Sequence, residues 1–304
     1  MNQQTIQKNS LRAWLLAARP KTLSGAAVPV MIGLALAYVD ASAYGDETFS
    51  WTAAVLCMLF AFVMQIDANL VNDLFDYIKG TDDRATRLGP ERACTQGWVS
   101  VEAMKRAIAL TTCVACVVGL PLVFFGGLEM LLVGLLCVVF CFLYTTHLSY
   151  MGLGDVLVLL FFGLVPVCVT YYVQLHTVTA EVLIASLACG LVIDALLLVN
   201  NFRDRDTDAQ ASKLTLVVRI GASAAHRLYL LTGVTACLLG LVFLVEGRVL
   251  AFLLPFIYAA FHVGTWVKMK AIWQGRALNG ILGETARNIF VYGLLVAVGI
   301  LLGI

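Results

Sequence analysis

Two short stretches of a largely apolar chain concentrate the side chains that could do chemistry. The first, LVNDLFDYIKGTDDRATRLGPERACTQG at residues 70–97, carries Asn72, Asp73, Asp76, Asp82 and Asp83, with Lys79, Arg87 and Arg92 close by. The second, LLLVNNFRDRDTDAQASKLTLVVRIG at 196–221, carries Asn200, Arg203, Asp204, Asp208 and Lys213. Acids packed this closely repel one another unless cations stand between them. Carboxylate oxygens beside basic side chains suit Mg²⁺ carrying a phosphorylated substrate, because Mg²⁺ takes one or two carboxylates and completes its shell with phosphate oxygens and water. Asp76, Asp82, Asp204 and Asp208 are the candidate catalytic acids. Lys79, Arg87, Arg92, Arg203 and Lys213 would supply positive charge to a leaving diphosphate.

The spacing predicts how these groups are presented. At about 100° per helical residue, Asn69, Asn72, Asp73 and Asp76 fall near 0°, −60°, +40° and −20°, a stripe roughly 100° wide that would converge on one point. Asp82 lies six residues beyond Asp76, and Gly80 offers a break that could swing it back. Asn200, Asp204 and Asp208 follow i, i+4, i+8 spacing and stay within about 80° of one another. A charged helix end at a membrane surface is commonplace. Two Asn-plus-paired-Asp motifs, one in each half of the chain and each followed by Lys and Arg, are not, and they suggest a weak internal repeat.

The elements that must hold these motifs are apolar helices. The 304 residues are 61% hydrophobic and 13% charged, with a mean hydropathy of +0.91. Runs of about 20 apolar residues predict membrane-spanning helices. Nine spans are expected, at about 22–40, 52–72, 104–125, 129–147, 153–174, 180–200, 226–245, 249–267 and 285–303, in one all-α polytopic membrane domain over 1–304. The basic residues divide by side: four in the N-terminal segment, six in the second connection, five in the sixth and four in the eighth, which is 19 of the 20 and leaves only Arg248 opposite. The positive-inside rule then places the N-terminus and both acidic motifs in the cytoplasm and the C-terminus outside.

The first span looks superficially like a signal peptide, but its basic flank is long and more spans follow, so it reads as an uncleaved helix. The nine Cys lie mostly within apolar runs, and Cys113 and Cys116 are expected to pack in a core rather than bind zinc or form a disulfide. No phosphate-binding glycine loop, dinucleotide fingerprint or basic arm with interleaved aromatics is present, and no nucleic-acid partner is expected. At a bilayer surface the natural phosphorylated partner is a lipid diphosphate.

The sequence resembles the UbiA-type intramembrane prenyltransferases over nearly its whole length. The resemblance rests on ARPKTL at the first span, ANLVNDLFDYIKGTD with RLGPERACTQG, YMGLGDVLVLLFFGLVPVCVTYY in the fifth span, and NNFRDRDTDAQASKLTLVVRIG after the sixth. It implies nine helices around a central cavity open toward the bilayer. It implies one Mg²⁺-binding motif from Asn72, Asp76 and Asp82, and a second from Asn200, Asp204 and Asp208. Asp73, Lys79, Arg92, Arg203 and Lys213 are expected at the substrate, and Arg19 and Lys21 either at the acceptor's carboxylate or as basic anchors at the membrane surface.

The spacing from Asp76 to Asp82, the Gly-Pro-x-Arg stretch and the fifth span resemble the branch that prenylates 1,4-dihydroxy-2-naphthoate. That branch implies transfer from a polyprenyl diphosphate with loss of CO₂, giving demethylmenaquinone, at a bacterial inner membrane. Another aromatic acceptor such as 4-hydroxybenzoate is the alternative within the family; a cation transporter using the acids as an ion site is the alternative outside it. Ser212 stands where family members often carry Gly, and Asp155 where this branch often carries Glu; Asp155 could cap its helix or act at the site. Asp194, deep in the sixth span, is expected to line a cavity, and His147 and His226 are expected at the membrane interface.

Overall fold

A computed structural model of the chain describes residues 6–44, 49–80 and 87–303. Among the described residues nine helices are long and apolar enough to cross a membrane: α1 (Leu11–Ala43), α2 (Trp51–Ile78), α3 (Val101–Gly126), α4 (Glu129–Leu148), α5 (Gly154–Leu175), α6 (Ala180–Gln210), α7 (Ala222–Val245), α8 (Val249–Ile272) and α9 (Leu278–Leu302). Apolar runs make them long, and hydroxyl caps fix where several begin. Ser10, Ser50, Ser100 and Thr179 each accept a hydrogen bond from the backbone N–H three residues on, at 3.2–3.3 Å, starting α1, α2, α3 and α6.

Several expected ends move outward. α2 continues six residues past 72, and α6 continues ten residues past 200, so Asn72, Asp76, Asn200, Asp204 and Asp208 all sit on regular helix rather than in connections. α1 starts earlier than expected, as a short helix, Leu11–Ala18, that turns at Arg19 into the membrane helix. Arg19 has φ 51, and the 3₁₀ turn Pro20–Thr22 follows it.

α6 is the most buried helix, packed by α5, α7 and α9, while α1 is held between α5 and α9. α3 and α4 lie outside this core and turn Leu110, Val117, Phe124, Leu132 and Leu135 outward, as lipid-facing helices do. Cys113 and Cys116 are exposed on that outer face of α3. The expected core packing of this pair is therefore corrected: a helix covered by lipid leaves its apolar residues exposed in the protein itself. His226, near the start of α7, is buried, stacked on Trp266 and bonded to the Trp266 carbonyl at 3.1 Å; His147 is exposed.

Candidate active site

The ends of α2 and α6 that carry the two acidic motifs border one cleft. Asn72 and Asp76 of α2 line it, as do Asn200 and Asn201 of α6, with Arg19, Arg92 and Lys213. Tyr144 and Thr145, where α4 widens into a π-helical turn over Tyr144–Leu148, form another wall with Asp155. Asp208 of the second motif feels the charge of Asp76 of the first, so the two acidic helix ends share one electrostatic field. A larger depression between Trp14 and Leu110 holds none of the motif acids.

The stripe on α2 splits along its length. The edge that carries Asn72 and Asp76 faces the cleft; the edge that carries Asn69 and Asp73 faces away. Asn69 donates to the Ala18 carbonyl at 3.0 Å and to the Thr22 hydroxyl at 2.8 Å, fixing α2 to the bend in α1. Asp73 is fully buried and accepts the backbone N–H groups of Ala93 and Cys94 at 2.8 and 2.9 Å. The expected place of Asp73 at the substrate is corrected for a physical reason. Both of its oxygens are occupied in folding the 87–94 loop, where an uncompensated backbone N–H would be costly. That loop brings Arg92 onto Asp76 at 2.9 Å. Asp82, expected in the first motif, lies outside the described residues, as does Asp83.

The second motif is braced from behind. Arg203, 2% exposed, donates to both oxygens of Asp204 at 2.8 and 2.5 Å, to Asn200 Oδ1 at 2.6 Å and to Asn279 Oδ1 at 3.0 Å. Asn279 donates in turn to the Leu88 carbonyl at 2.9 Å. Gly89 lies so close that a Cβ would stand 2.6 Å from the Arg203 guanidinium. The Gly-Pro-x-Arg stretch thus clamps the first motif's loop onto the second motif's helix. Arg203, expected at the substrate, does not reach the cleft lining, and neither does the exposed Lys21. Asn279 was not legible as a site residue, because a lone Asn before an apolar run carries no spacing signal.

Lys213 sits 3.4 Å from Asp208 and faces the Tyr150 ring, as does Lys79 from the other motif at 4.1 Å. Lys79 also bonds the carbonyls of Thr145, at 3.3 Å, and Thr146. Burial pushes the Lys79 ammonium below its ordinary range, with Lys213 adding to the effect and Asp76 opposing it. Burial, then Arg92, pushes the Arg87 guanidinium down to about 9; Arg203 adds to this, and Asp204 and Asp76 only partly offset it. This is a basic cluster short of negative charge, the electrostatic condition that an incoming polyanion relieves. Ser212, which turns the chain from α6 to Lys213, holds φ 54, a left-handed conformation that glycine adopts without strain.

The donor set fits a hard divalent cation. Asn72, Asp76, Asn200, Asp204 and Asp208 would supply oxygen ligands; Arg203 holds both Asp204 oxygens and Asn200 Oδ1, Thr145 donates to Asn72 Oδ1, and Asp208 Oδ2 is buried without a hydrogen-bond partner. Among the described residues no three of His, Cys, Asp and Glu come together tightly enough to close a metal cage alone.

Nine apolar helices with charge gathered between two of them define an all-helical integral membrane protein. The UbiA prenyltransferase family matches residues 26–279. The chain is 36% identical over 252 residues to the 1,4-dihydroxy-2-naphthoate octaprenyltransferase of Escherichia coli (strain K12), covering 78% of each protein. It is 31% identical to the enzyme of the same name from Haemophilus influenzae, covering 100% of both. It shares its fold with a UbiA homolog from Archaeoglobus fulgidus solved with GPP and Mg²⁺, at TM-score 0.63 and 15% identity, covering 94% of this chain and 99% of that one. This chain belongs to the UbiA prenyltransferase family.

Proposed function

We propose that this protein transfers a polyprenyl group from polyprenyl diphosphate to 1,4-dihydroxy-2-naphthoate with loss of the ring carboxylate as CO₂, giving demethylmenaquinol, the reduced form of demethylmenaquinone, for menaquinone synthesis. The observation that carries the reading is the meeting of Asn72 and Asp76 with Asn200 and Asn201 at one cleft lined also by Arg92 and Lys213, with Asp208 in the electrostatic field of Asp76 and Arg87 in that of both Asp76 and Asp204. The identities to naphthoate octaprenyltransferases support the acceptor. Asn72, Asp76, Asn200, Asp204 and Asp208, with Asp82, would hold Mg²⁺, which when bound neutralises the diphosphate as it leaves.

The chain's own residues do the rest. Arg92 and Lys213, now paired with Asp76 and Asp208, exchange those partners for diphosphate oxygens, and Lys79 and Arg87 add charge as the allylic carbon–oxygen bond breaks. Arg203 and Asn279 keep Asp204 and the 87–92 loop in register. Arg19, whose Nη2 is buried without a hydrogen-bond partner and which lines the cleft, receives the acceptor's carboxylate. The apolar helices exclude water from the allylic cation.

The same reading makes the protein a single domain of the bacterial inner membrane with its N-terminus and cleft facing the cytoplasm. It is supported by the 19 basic residues on one side, while the lone opposite one, Arg248, is paired with Asp40 and Glu181.

Purified protein incubated with Mg²⁺, polyprenyl diphosphate and a panel of aromatic acids tests the acceptor. Mass spectrometry should find prenylated, decarboxylated naphthol; product from 4-hydroxybenzoate alone would overturn the assignment. For sidedness, Ala209→Cys in a background without native Cys should react with an impermeant thiol reagent only after cells are opened, and Val178→Cys in intact cells. The reverse pattern would invert the topology.

A further inference from the structure

Two carboxyl groups beside the cleft take no part in the metal or diphosphate chemistry above. Asp155, in the first turn of α5, lines the cleft and is 7% exposed; Asp194, in the middle of α6, is 4% exposed. Apart from the residue's own backbone N–H, the Asp155 oxygens have no hydrogen-bond partner, and Asp194 Oδ1 has none. The helix that begins at Gly154 has Leu153 at its cap position with no side-chain cap bond, so Asp155 does not serve as the cap.

The pairing of these two acids is built into the helices. α5 and α6 run antiparallel and approach closely where a Cβ on Gly163 would stand 2.7 Å from the Ser186 carbonyl and 2.8 Å from Gly190 Cα. A Cβ on Gly190 would in turn meet Leu159 at 3.2 Å. Asp155 lies four residues before Leu159 and Asp194 four residues after Gly190. One helical turn along each antiparallel partner from that contact therefore sets the two acids against each other. The contact falls where α5 widens into a π-helical stretch, Leu159–Leu164, a distortion frequent at functional sites. Asp194 feels the charge of Asp155, and Tyr144 on the cleft wall feels both, together with Asp76 of the metal motif. A buried carboxyl left without partners is costly. Asp155 stands on the cleft wall, where an aromatic hydroxyl, a hydrogen-bond donor, would satisfy it.

We propose that Asp155, supported by Asp194, is the proton acceptor for the ring hydroxyl of the aromatic co-substrate. The inference rests on the prenyl-transfer reading and adds the proton to it. A ring π pair, released as the hydroxyl O–H breaks, forms the new carbon–carbon bond to the allylic carbon at the ring carbon that bears the carboxylate, and the carbon–oxygen pair departs with diphosphate. The hydroxyl proton goes to an Asp155 oxygen, and the hydroxyl oxygen becomes a ketone. Loss of CO₂ leaves its bonding pair in the ring, which becomes aromatic again as the oxygen recovers the proton from Asp155. No proton is consumed overall, but one must be stored in a water-poor cavity between the two steps. Asp155 binds the hydroxyl end of the acceptor while Arg19 takes its carboxylate.

The test uses the full chain in lipid nanodiscs with Mg²⁺, polyprenyl diphosphate and 1,4-dihydroxy-2-naphthoate, measuring diphosphate release, prenyl alcohol and prenylated naphthol separately. Asp155→Asn should keep Mg²⁺-dependent diphosphate release but divert the allylic cation to water, raising the ratio of alcohol to naphthol product by about 100-fold. Asp194→Asn should shift that ratio in the same direction by a smaller factor, and Asp155→Glu should restore most transfer.

A wild-type product ratio in Asp155→Asn overturns the proposal. So does joint loss of release and transfer in a variant that remains monodisperse. Should Asp155→Asn fail to fold, the ratio in Asp194→Asn decides. Wild-type protein that releases diphosphate yet prenylates no naphthoate would remove the acceptor reading and this inference with it. Wild type that releases none would instead remove the metal-diphosphate site.

Discussion

Charged side chains are buried at both ends of this helical bundle, and the two clusters are built oppositely. At the end away from the acidic cleft, Arg248 bonds Asp40 of α1 and reaches Glu181 of α6 at 3.2 Å, while Tyr171 of α5 donates to Asp40 at 2.6 Å. Two acids flank one base, and the cluster joins three helices to the corner before α8. At the cleft, acids and bases from α2, α6 and two connections crowd together with buried oxygens on Asp155, Asp194 and Asp208 left without partners. One cluster balances its charges within the fold and holds helices together, although Arg248 Nη1 and Glu181 Oε1, 3.2 Å apart, make no hydrogen bond; the other borders a cavity that a ligand can complete. Buried charge by itself does not mark a functional site. Unmet charge beside a cavity does.

This contrast can be broken by exchanging the expected effects. Asp76→Ala or Asp204→Ala should lower prenyl transfer on the order of 10³-fold while leaving the protein folded in the membrane, read by product formation at saturating Mg²⁺ and by gel filtration. Wild-type turnover in either would falsify the shared metal site. Arg248→Ala should do the reverse. It strands two buried acids and should cost about 3–5 kcal/mol of stability, seen as a lower midpoint in thermal unfolding, with turnover per folded molecule preserved.

Lys213→Ala should raise the KM for polyprenyl diphosphate by roughly tenfold, the equivalent of about 1.4 kcal/mol, with the KM for the aromatic acid unchanged. Equal changes in both constants would remove Lys213 from the diphosphate. The pH dependence is milder. Arg87, pushed down to about 9, loses its charge at lower pH than an ordinary guanidinium, and Lys79 shifts the same way. The KM for the diphosphate should therefore climb as pH passes about 9. The unfolded chain holds these two protons longer, so Arg87 and Lys79 by themselves make stability rise with pH in that window; unfolding midpoints measured at each pH separate lost binding from lost fold. A flat KM between pH 7 and 10 would take Arg87 and Lys79 out of diphosphate binding. Smallest of all, Ser212→Gly removes a left-handed strain of about 1 kcal/mol and should nudge the unfolding midpoint upward without lowering transfer. A lowered midpoint would mean that the Ser212 side chain stabilises this turn.

Hydropathy alone predicted nine membrane-spanning helices, the number found among the described residues, because a single apolar segment can satisfy its own backbone in hydrocarbon only as a helix. The i, i+4, i+8 spacing on α6 likewise fixed Asn200, Asp204 and Asp208 on one face before any tertiary contact was known. Periodicity could say that Asn69, Asn72, Asp73 and Asp76 share a stripe, but not where the cleft would cut it. That was decided by the bend in α1, which claimed Asn69, and by the 87–94 loop, whose backbone N–H groups claimed Asp73's oxygens. Asn279 bridging Arg203 to Leu88, and Asp155 meeting Asp194 across the Gly163–Gly190 approach, join residues far apart in the chain. A spacing rule reads one helix at a time. Which helices touch, and at what height, depends on small residues that allow close approach, and only the packed bundle holds that information.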